Sequence, residues 1–234
     1  MDLDTLELIP DELELMRRFL PLSGAKVIDL GCGNAEMPRR LLKDGLVASV
    51  TGLEVDHAQQ AQNLAASPVP GLDFVLASAD QIPFDANSFD IVMMLKSLHH
   101  VPLDHLDRAL AEIERILVPG GVLYVSEPVF AGTFNEILRL FNDEEIARSA
   151  AHGALRRAVS TGLMDVVTER RFNTLLVFRD FDEFFLRVVK ATHSDLTLIG
   201  DQLAEVKRRF ELHATPKCVQ FVRPMRVNVL RKRR

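Results

Sequence analysis

The stretch Val27–Glu36, VIDLGCGNAE, places an acid and then two glycines one residue apart between an apolar run and helix-forming chain. Without side chains, Gly31 and Gly33 allow positive φ and let a ligand lie directly on the main chain. The helix that follows would aim unpaired N–H groups at any carboxylate placed there. Glu54 comes 23 positions after Gly31 (54 − 31), close to the roughly 20-residue offset at which a βαβ unit sets an acid on a pair of ribose hydroxyls. Asp80 follows a third apolar run, and His99, His100 and Glu127 fall where the fourth and fifth runs end. An imidazole there can take a proton from a nucleophile near neutral pH. Each group also has a plainer reading: an ordinary βα turn for the glycines, capping of the loop or next helix through Asp104 for the histidines, and a solvated end-of-strand acid for Glu127.

The elements that must carry these residues alternate. Lys26–Leu30 reads as a strand, about Ala35–Lys43 as a helix with Pro38 in its first turn, Val47–Asp56 as a second buried strand, and His57–Ala66 as a helix ended by Ser67-Pro68. A third strand begins at Leu72 and a fourth spans Phe89–Met94. Leu103–Leu117 carries Leu103, Leu106, Leu110, Ile113, Ile116 and Leu117 along one helical face, and Pro119-Gly120-Gly121 stops it before a fifth strand. Such alternation predicts an α/β fold, a doubly wound and mostly parallel sheet with right-handed crossovers. The acids and histidines then gather at the C-terminal rim of the strands, where open α/β sheets bind ligands. Beyond Pro128 the alternation stops. Helices are predicted over 135–141, 144–159, 181–190 and 203–210, and strands over 172–178 and 219–230; Pro224 in the last of these suggests a sheet edge or a bulge.

With these motifs in this order, the chain resembles the class I S-adenosylmethionine-dependent methyltransferases, in style the UbiE-like enzymes that act on small molecules. The resemblance runs from about Ala25 to Pro128. It implies a seven-stranded Rossmann-like sheet whose last strand is antiparallel, with the helices after Pro128 forming a cap over the acceptor, at about 129–217. It also implies S-adenosylmethionine as cofactor and S-adenosylhomocysteine as product. Asp29, Gly31 and Gly33 would then hold the methionine part and Glu54 the ribose. Asp80 would face the adenine amine with Gln81 and Ile82 flanking the ring, Leu95 would line the pocket through its backbone, and Leu117–Gly121 would be the family's LVPGG turn. Where the family often has a third glycine, this chain has Ala35, small enough for close helix packing. The same alanine weakens the rival reading of a dinucleotide oxidoreductase, because GCGNAE lacks the final glycine of GxGxxG.

A sulfonium methyl is already electrophilic, so catalysis needs mainly an acceptor held in line and away from water, with a base only if that acceptor must lose a proton. His99, His100 and Glu127 are the candidates for that work. Tyr124, the single tyrosine, lies mid-strand and reads as core; His152 and His193 read as helical histidines of the cap region. No acids show magnesium spacing, and the two cysteines, Cys32 and Cys218, have neither CxxC nor metal spacing, so no metal and no disulfide are expected.

Composition bounds the partners. The 234 residues have a formal net charge of −5, which argues against a generic phosphate binder, although Arg231–Arg234 (RKRR) is locally basic. After the fourth strand the chain reads LKSLHH, without the Asn/Asp-Pro-Pro-aromatic element of amino-directed nucleobase methyltransferases. A small-molecule acceptor is therefore preferred, with an RNA methyltransferase or a cofactor-binding protein without turnover as alternatives. No apolar run is long enough to span a membrane and residues 1–14 are acidic, so a cytoplasmic protein is expected.

Overall fold

In the computed structural model, residues 5–190 and 198–234 are described; His193 lies outside them. Seven strands share one sheet: β1 (Lys26–Leu30), β2 (Ser49–Glu54), β3 (Leu72–Leu76), β4 (Phe89–Leu95), β5 (Leu117–Pro128), β6 (Met164–Phe178) and β7 (Val219–Lys232). Their order is β3-β2-β1-β4-β5-β7-β6. β1 pairs in parallel with β2 (Lys26 opposite Ser49) and with β4 (Val27 opposite Ile91); β2 with β3 and β4 with β5 are parallel too. Because the chain runs outward from β1 to β3 and then returns to place β4 on the other side of β1, the strand order reverses between β1 and β4. A crevice at the carboxyl ends of those two strands follows from that reversal.

By contact density the chain divides into two units. The larger comprises Glu12–Glu127, Ala147–Arg170 and Arg226–Arg234. It holds α1 (Leu13–Phe19), α2 (Glu36–Lys43), α3 (His57–Ala65), α4 (Leu106–Ile116) and nearly all of α6 (Glu145–Ser160). Its core is aliphatic: Ile28, Leu30, Val92, Leu110, Ile113, Leu123 and Val125, closed by Ala151, Ala154 and Leu155 of α6, are all almost wholly buried. α4 shows why the pattern works, since Leu106, Leu110 and Ile113 recur every three or four residues and reach that core together.

The smaller unit takes residues 5–11, 128–146, 171–190 and 198–225. It includes α5 (Thr133–Leu138), α7 (Phe181–Phe184), a π-helical turn over Phe185–Val189 and α8 (Gly200–Glu211). Phenylalanines dominate its core: Phe134, Phe141, Phe178, Phe184, Phe210 and Phe221 are all buried. The N-terminal segment bridges β6 at Asn173, whose N–H donates to Glu7 O at 2.8 Å and whose carbonyl accepts from Ile9 N at 2.8 Å. That pairing covers part of an edge strand.

Several boundaries differ from the sequence expectation. α4 starts at Leu106 and not Leu103, because the chain after Pro102 makes a turn that leaves Leu103 53% exposed. Pro119-Gly120-Gly121 lies inside β5 and not before it: Phe89 faces Leu117 while Ile91 faces Val122, so the glycines absorb an irregularity in the ladder. A Cβ on Gly121 would stand 2.9 Å from Val118 O. β7 is not an edge, since β6, eight residues longer at its start than expected, occupies that place. Pro224 still contributes its carbonyl, which accepts from Val129 N at 2.9 Å. The helix expected over 181–190 changes to π-helical pairing after Phe184.

Candidate cofactor and active site

The turn after β1 is built by a carboxylate reaching back to it. Glu54, at the end of the adjacent β2, accepts from Gly33 N through Oε2 at 2.8 Å, and through Oε1 from Val55 N at 2.9 Å and Asp56 N at 3.1 Å. A carboxylate offers about four acceptor positions, so three backbone donors leave room for a ligand hydroxyl. From the other side Asn63 of α3 donates to Gly33 O at 2.7 Å. Gly31 has φ +72°, and a Cβ there would stand 2.7 Å from Cβ of Ser97. Ser97 in turn donates to Leu30 O at 2.6 Å, tying the end of β4 to the end of β1. At Gly31 the place of a side chain is thus filled by Ser97, whereas at Gly33, φ +53°, a Cβ would meet nothing within 4 Å.

Asp29 is buried beneath this turn, and among the described residues its Oδ1 has no hydrogen-bond partner. Burial pushes its carboxyl up from 3.8 to about 7; the Lys96 charge opposes this, while Glu54 and Glu12 add to it. An unpaired buried oxygen of that kind suits an incoming ammonium group. Cys32 is buried between the two glycines with its thiol pushed up to about 12, chiefly by burial, so it is an inert spacer.

On the far side, Asp80 is buried, Ile82 is buried and Gln81 is exposed. One oxygen of Asp80, Oδ2, receives Arg108 Nη2 and lies 3.0 Å from His105 Nδ1. Leu95 is half-buried at the end of β4. Beyond it, Leu98–His100 forms a 3-10 turn. His99 Nδ1 makes a short contact with Glu127 Oε2, both side chains being almost wholly buried. The other oxygen of Glu127 accepts from Leu98 N at 2.8 Å. His100 is exposed, its ring 4.1 Å from that of His99. Glu127 is therefore not a solvated acid, and it engages His99.

Two residues read as structural keep that role. Tyr124 is buried in β5, donates to Glu12 Oε1 at 3.2 Å, and is pushed well above the usual phenol range by burial. His152 of α6 meets Glu169 of β6 at 3.2 Å.

Residues 28–125, the segment that carries this rim, match the family described as a methyltransferase domain. The chain carries a class I S-adenosylmethionine-dependent methyltransferase domain. The chain is 38% identical over 111 residues to a phthiotriol/phenolphthiotriol dimycocerosates methyltransferase of Mycobacterium ulcerans, a match covering 45% of this chain and 38% of that protein. It is 36% identical over 105 residues to the ubiquinone/menaquinone biosynthesis C-methyltransferase UbiE of Bartonella bacilliformis, covering 43% and 40%. The matched stretch thus spans about two fifths of each relative's length. A methyltransferase structure from Methanosarcina mazei superposes with TM-score 0.59 over 97% of this chain and 99% of that one at 17% identity, a likeness of fold.

Four further residues adjoin the rim without a signal in the sequence. Ser97, Asn63, His105 and Arg108 all touch the rim residues, but polar side chains on helices and turns carry no spacing signal that separates them from solvated ones. In the sequence, Ala35 is a packing substitution. Its backbone shows a second demand, φ 55° and ψ 35°, the left-handed conformation that favours glycine.

Proposed function

We propose that this chain transfers the methyl group of S-adenosylmethionine to a small-molecule acceptor whose nucleophile must give up a proton, with His99 as the base. The buried His99–Glu127 pair carries this reading. When bound, the cofactor supplies an electrophilic methyl on sulfur. Asp29, Gly31 and Gly33 hold its amino-acid end, Glu54 its ribose, Asp80 its adenine amine with Gln81 and Ile82 flanking the ring, and the Leu95 backbone lines the pocket. The unpaired Asp29 oxygen, the spare acceptor capacity of Glu54 and the open main chain at Gly33 fit those groups.

Glu127 pairs with Nδ1 of His99, which fixes the ring, and an imidazole can take up an acceptor proton near neutral pH. His99 would take the proton that the acceptor's nucleophile gives up as the methyl group is transferred, and the bound cofactor would supply that methyl and leave as the thioether. Because both Glu127 oxygens are engaged, one by His99 and one by Leu98 N, the pair holds its orientation before an acceptor arrives. His100 borders the pair as an exposed neighbour. The names of the two relatives, each denoting a small organic acceptor, and the net charge of −5 support a small molecule over nucleic acid.

The test is methyl transfer from isotopically labelled S-adenosylmethionine into fractionated metabolite extracts. His99→Asn is expected to lower turnover by about 10²- to 10⁴-fold while S-adenosylhomocysteine affinity stays unchanged. Labelled product formed equally well by the wild type and by His99→Asn would remove the base from the mechanism. No product with any fraction, despite tight cofactor binding, would point to a binding protein without turnover.

A further inference from the structure

One stripe of α4 is committed to the segment after β3. His105, the residue that precedes the helix, and Arg108, Glu112 and Arg115 within it follow at intervals of three, four and three, so they share one helical face. His105 Nδ1 is 3.0 Å from Asp80 Oδ2, and Arg108 Nη2 donates to that same oxygen. Glu112 Oε2 accepts from Ile82 N at 3.1 Å. Arg115 donates to Ile82 O at 3.0 Å and Phe84 O at 2.7 Å, and is locked to Glu112 at 2.8 Å. Loop residues that carry the proposed adenine contacts are thus held at their carboxylate and at their main chain by a single helix face.

The lower part of that stripe explains loop shape. The upper part does something more selective. His105 and Arg108 are not core residues: their side chains are 38% and 57% exposed, whereas that of Asp80 is 7% exposed. Both address Oδ2, and among the described residues no hydrogen bond to Oδ1 is formed. A carboxylate free to rotate could exchange its oxygens; one held at Oδ2 by the Arg108 donor, with His105 Nδ1 3.0 Å away, presents the other oxygen in a fixed direction. An ionised carboxylate only accepts hydrogen bonds. A purine bearing an amino group at that place donates to it, while a purine bearing a carbonyl oxygen there faces it acceptor to acceptor.

We propose that His105 and Arg108 are positioning residues that clamp Asp80 through Oδ2 and aim Oδ1 at the ligand, making the site select a 6-aminopurine over a 6-oxopurine. The proposal rests on the reading of Asp80 as the adenine contact. It assigns purine selectivity partly to α4, an element outside the glycine turn and its acids.

The experiment compares binding of S-adenosylhomocysteine with that of its deaminated analogue, S-inosylhomocysteine, by isothermal titration. The wild type is expected to favour the adenosyl ligand by about tenfold or more. Arg108→Gln and His105→Gln should each reduce that ratio several-fold, and the double variant should bring it to about twofold, as Asp80→Ala does. Arg108→Lys, which keeps one charged donor, should restore part of the ratio. Glu54→Gln serves as the reference, because losing a ribose contact weakens both ligands alike and leaves the ratio at the wild-type value. Both exposed side chains can be replaced without opening the core, and thermal unfolding of each variant verifies this. A wild-type ratio in the double variant, with Asp80→Ala abolishing it, overturns the clamp while keeping Asp80 as the adenine contact. An unchanged ratio and affinity in Asp80→Ala overturns the assignment of Asp80 itself, and the clamp with it.

Discussion

The larger and smaller units make different demands on their sequences. In the larger one, Gly31 is required by a positive φ and by Ser97 standing where a Cβ would go, and Glu54 by three backbone donors that converge on it. Residue type and position are dictated together. In the smaller one, Phe184 meets Phe134, Phe178 and Phe210 with ring centroids 6.3, 5.5 and 4.8 Å away. That packing asks for apolar volume, which other side chains can also supply. Chemistry at the rim is specified by single atoms, whereas the phenylalanine core is specified by bulk.

The largest effect expected is therefore on stability and in the smaller unit. Phe184→Ala removes a fully buried ring and should destabilise the protein by about 3–5 kcal/mol. Urea unfolding would show this, while titration should find S-adenosylhomocysteine affinity unchanged in the folded protein. A parallel loss of affinity would end the separation of roles between the two units. Gly31→Ala should act on both quantities. Crowding against Ser97 and the left-handed backbone together should cost about 3 kcal/mol, and the shifted turn should no longer bind the cofactor measurably. Retained binding in Gly31→Ala would mean that the ligand does not lie on that main chain.

This contrast also explains what could be read before the structure was known. β1, β2, the glycine turn, the acid ending β2 and the apolar face of α4 are visible because a backbone requirement or a helical period fixes residue types at set spacings. α4 was placed three residues too early because Leu103 continues an apolar period that the turn after Pro102 overrides. The commitment of Glu127 to His99 was hidden, since the two are 28 residues apart and only the pairing of β4 with β5 brings them together. The smaller unit was legible as helices and strands but not as a core, because its phenylalanines come from segments scattered over 134–221 and their partnerships leave no local pattern.

A smaller effect tests the electrostatics of the rim. With its carboxyl pushed up to about 7, Asp29 in the free protein is mostly protonated at pH 6. If it receives the ammonium of the cofactor, binding releases that proton, so affinity should rise as pH rises through 6 to 7 and level off above. From pH 6 to pH 7 the gain should be about fivefold, or about 1 kcal/mol. Asp29→Asn should bind more weakly at pH 8 and lose the slope. A slope that survives in Asp29→Asn belongs to another group, and the unpaired Asp29 oxygen would then be structural.

The smallest effect concerns the position where this chain departs from the glycine pattern. Ala35 sits at φ 55° directly before α2 and is completely buried. A left-handed alanine costs about 1–2 kcal/mol relative to glycine. Its buried methyl recovers about 0.8 kcal/mol, and the stiffer unfolded chain recovers roughly 0.5 kcal/mol more. These terms nearly cancel, so Ala35→Gly should change stability by less than about 0.5 kcal/mol in thermal unfolding and leave cofactor affinity alone. The near-balance is the physical reason an alanine can stand there, whereas at Gly31 strain and crowding add with nothing to offset them. A stabilisation well above 1 kcal/mol would show that the methyl contributes no packing, and that Ala35 is tolerated at a cost carried by the rest of the larger unit.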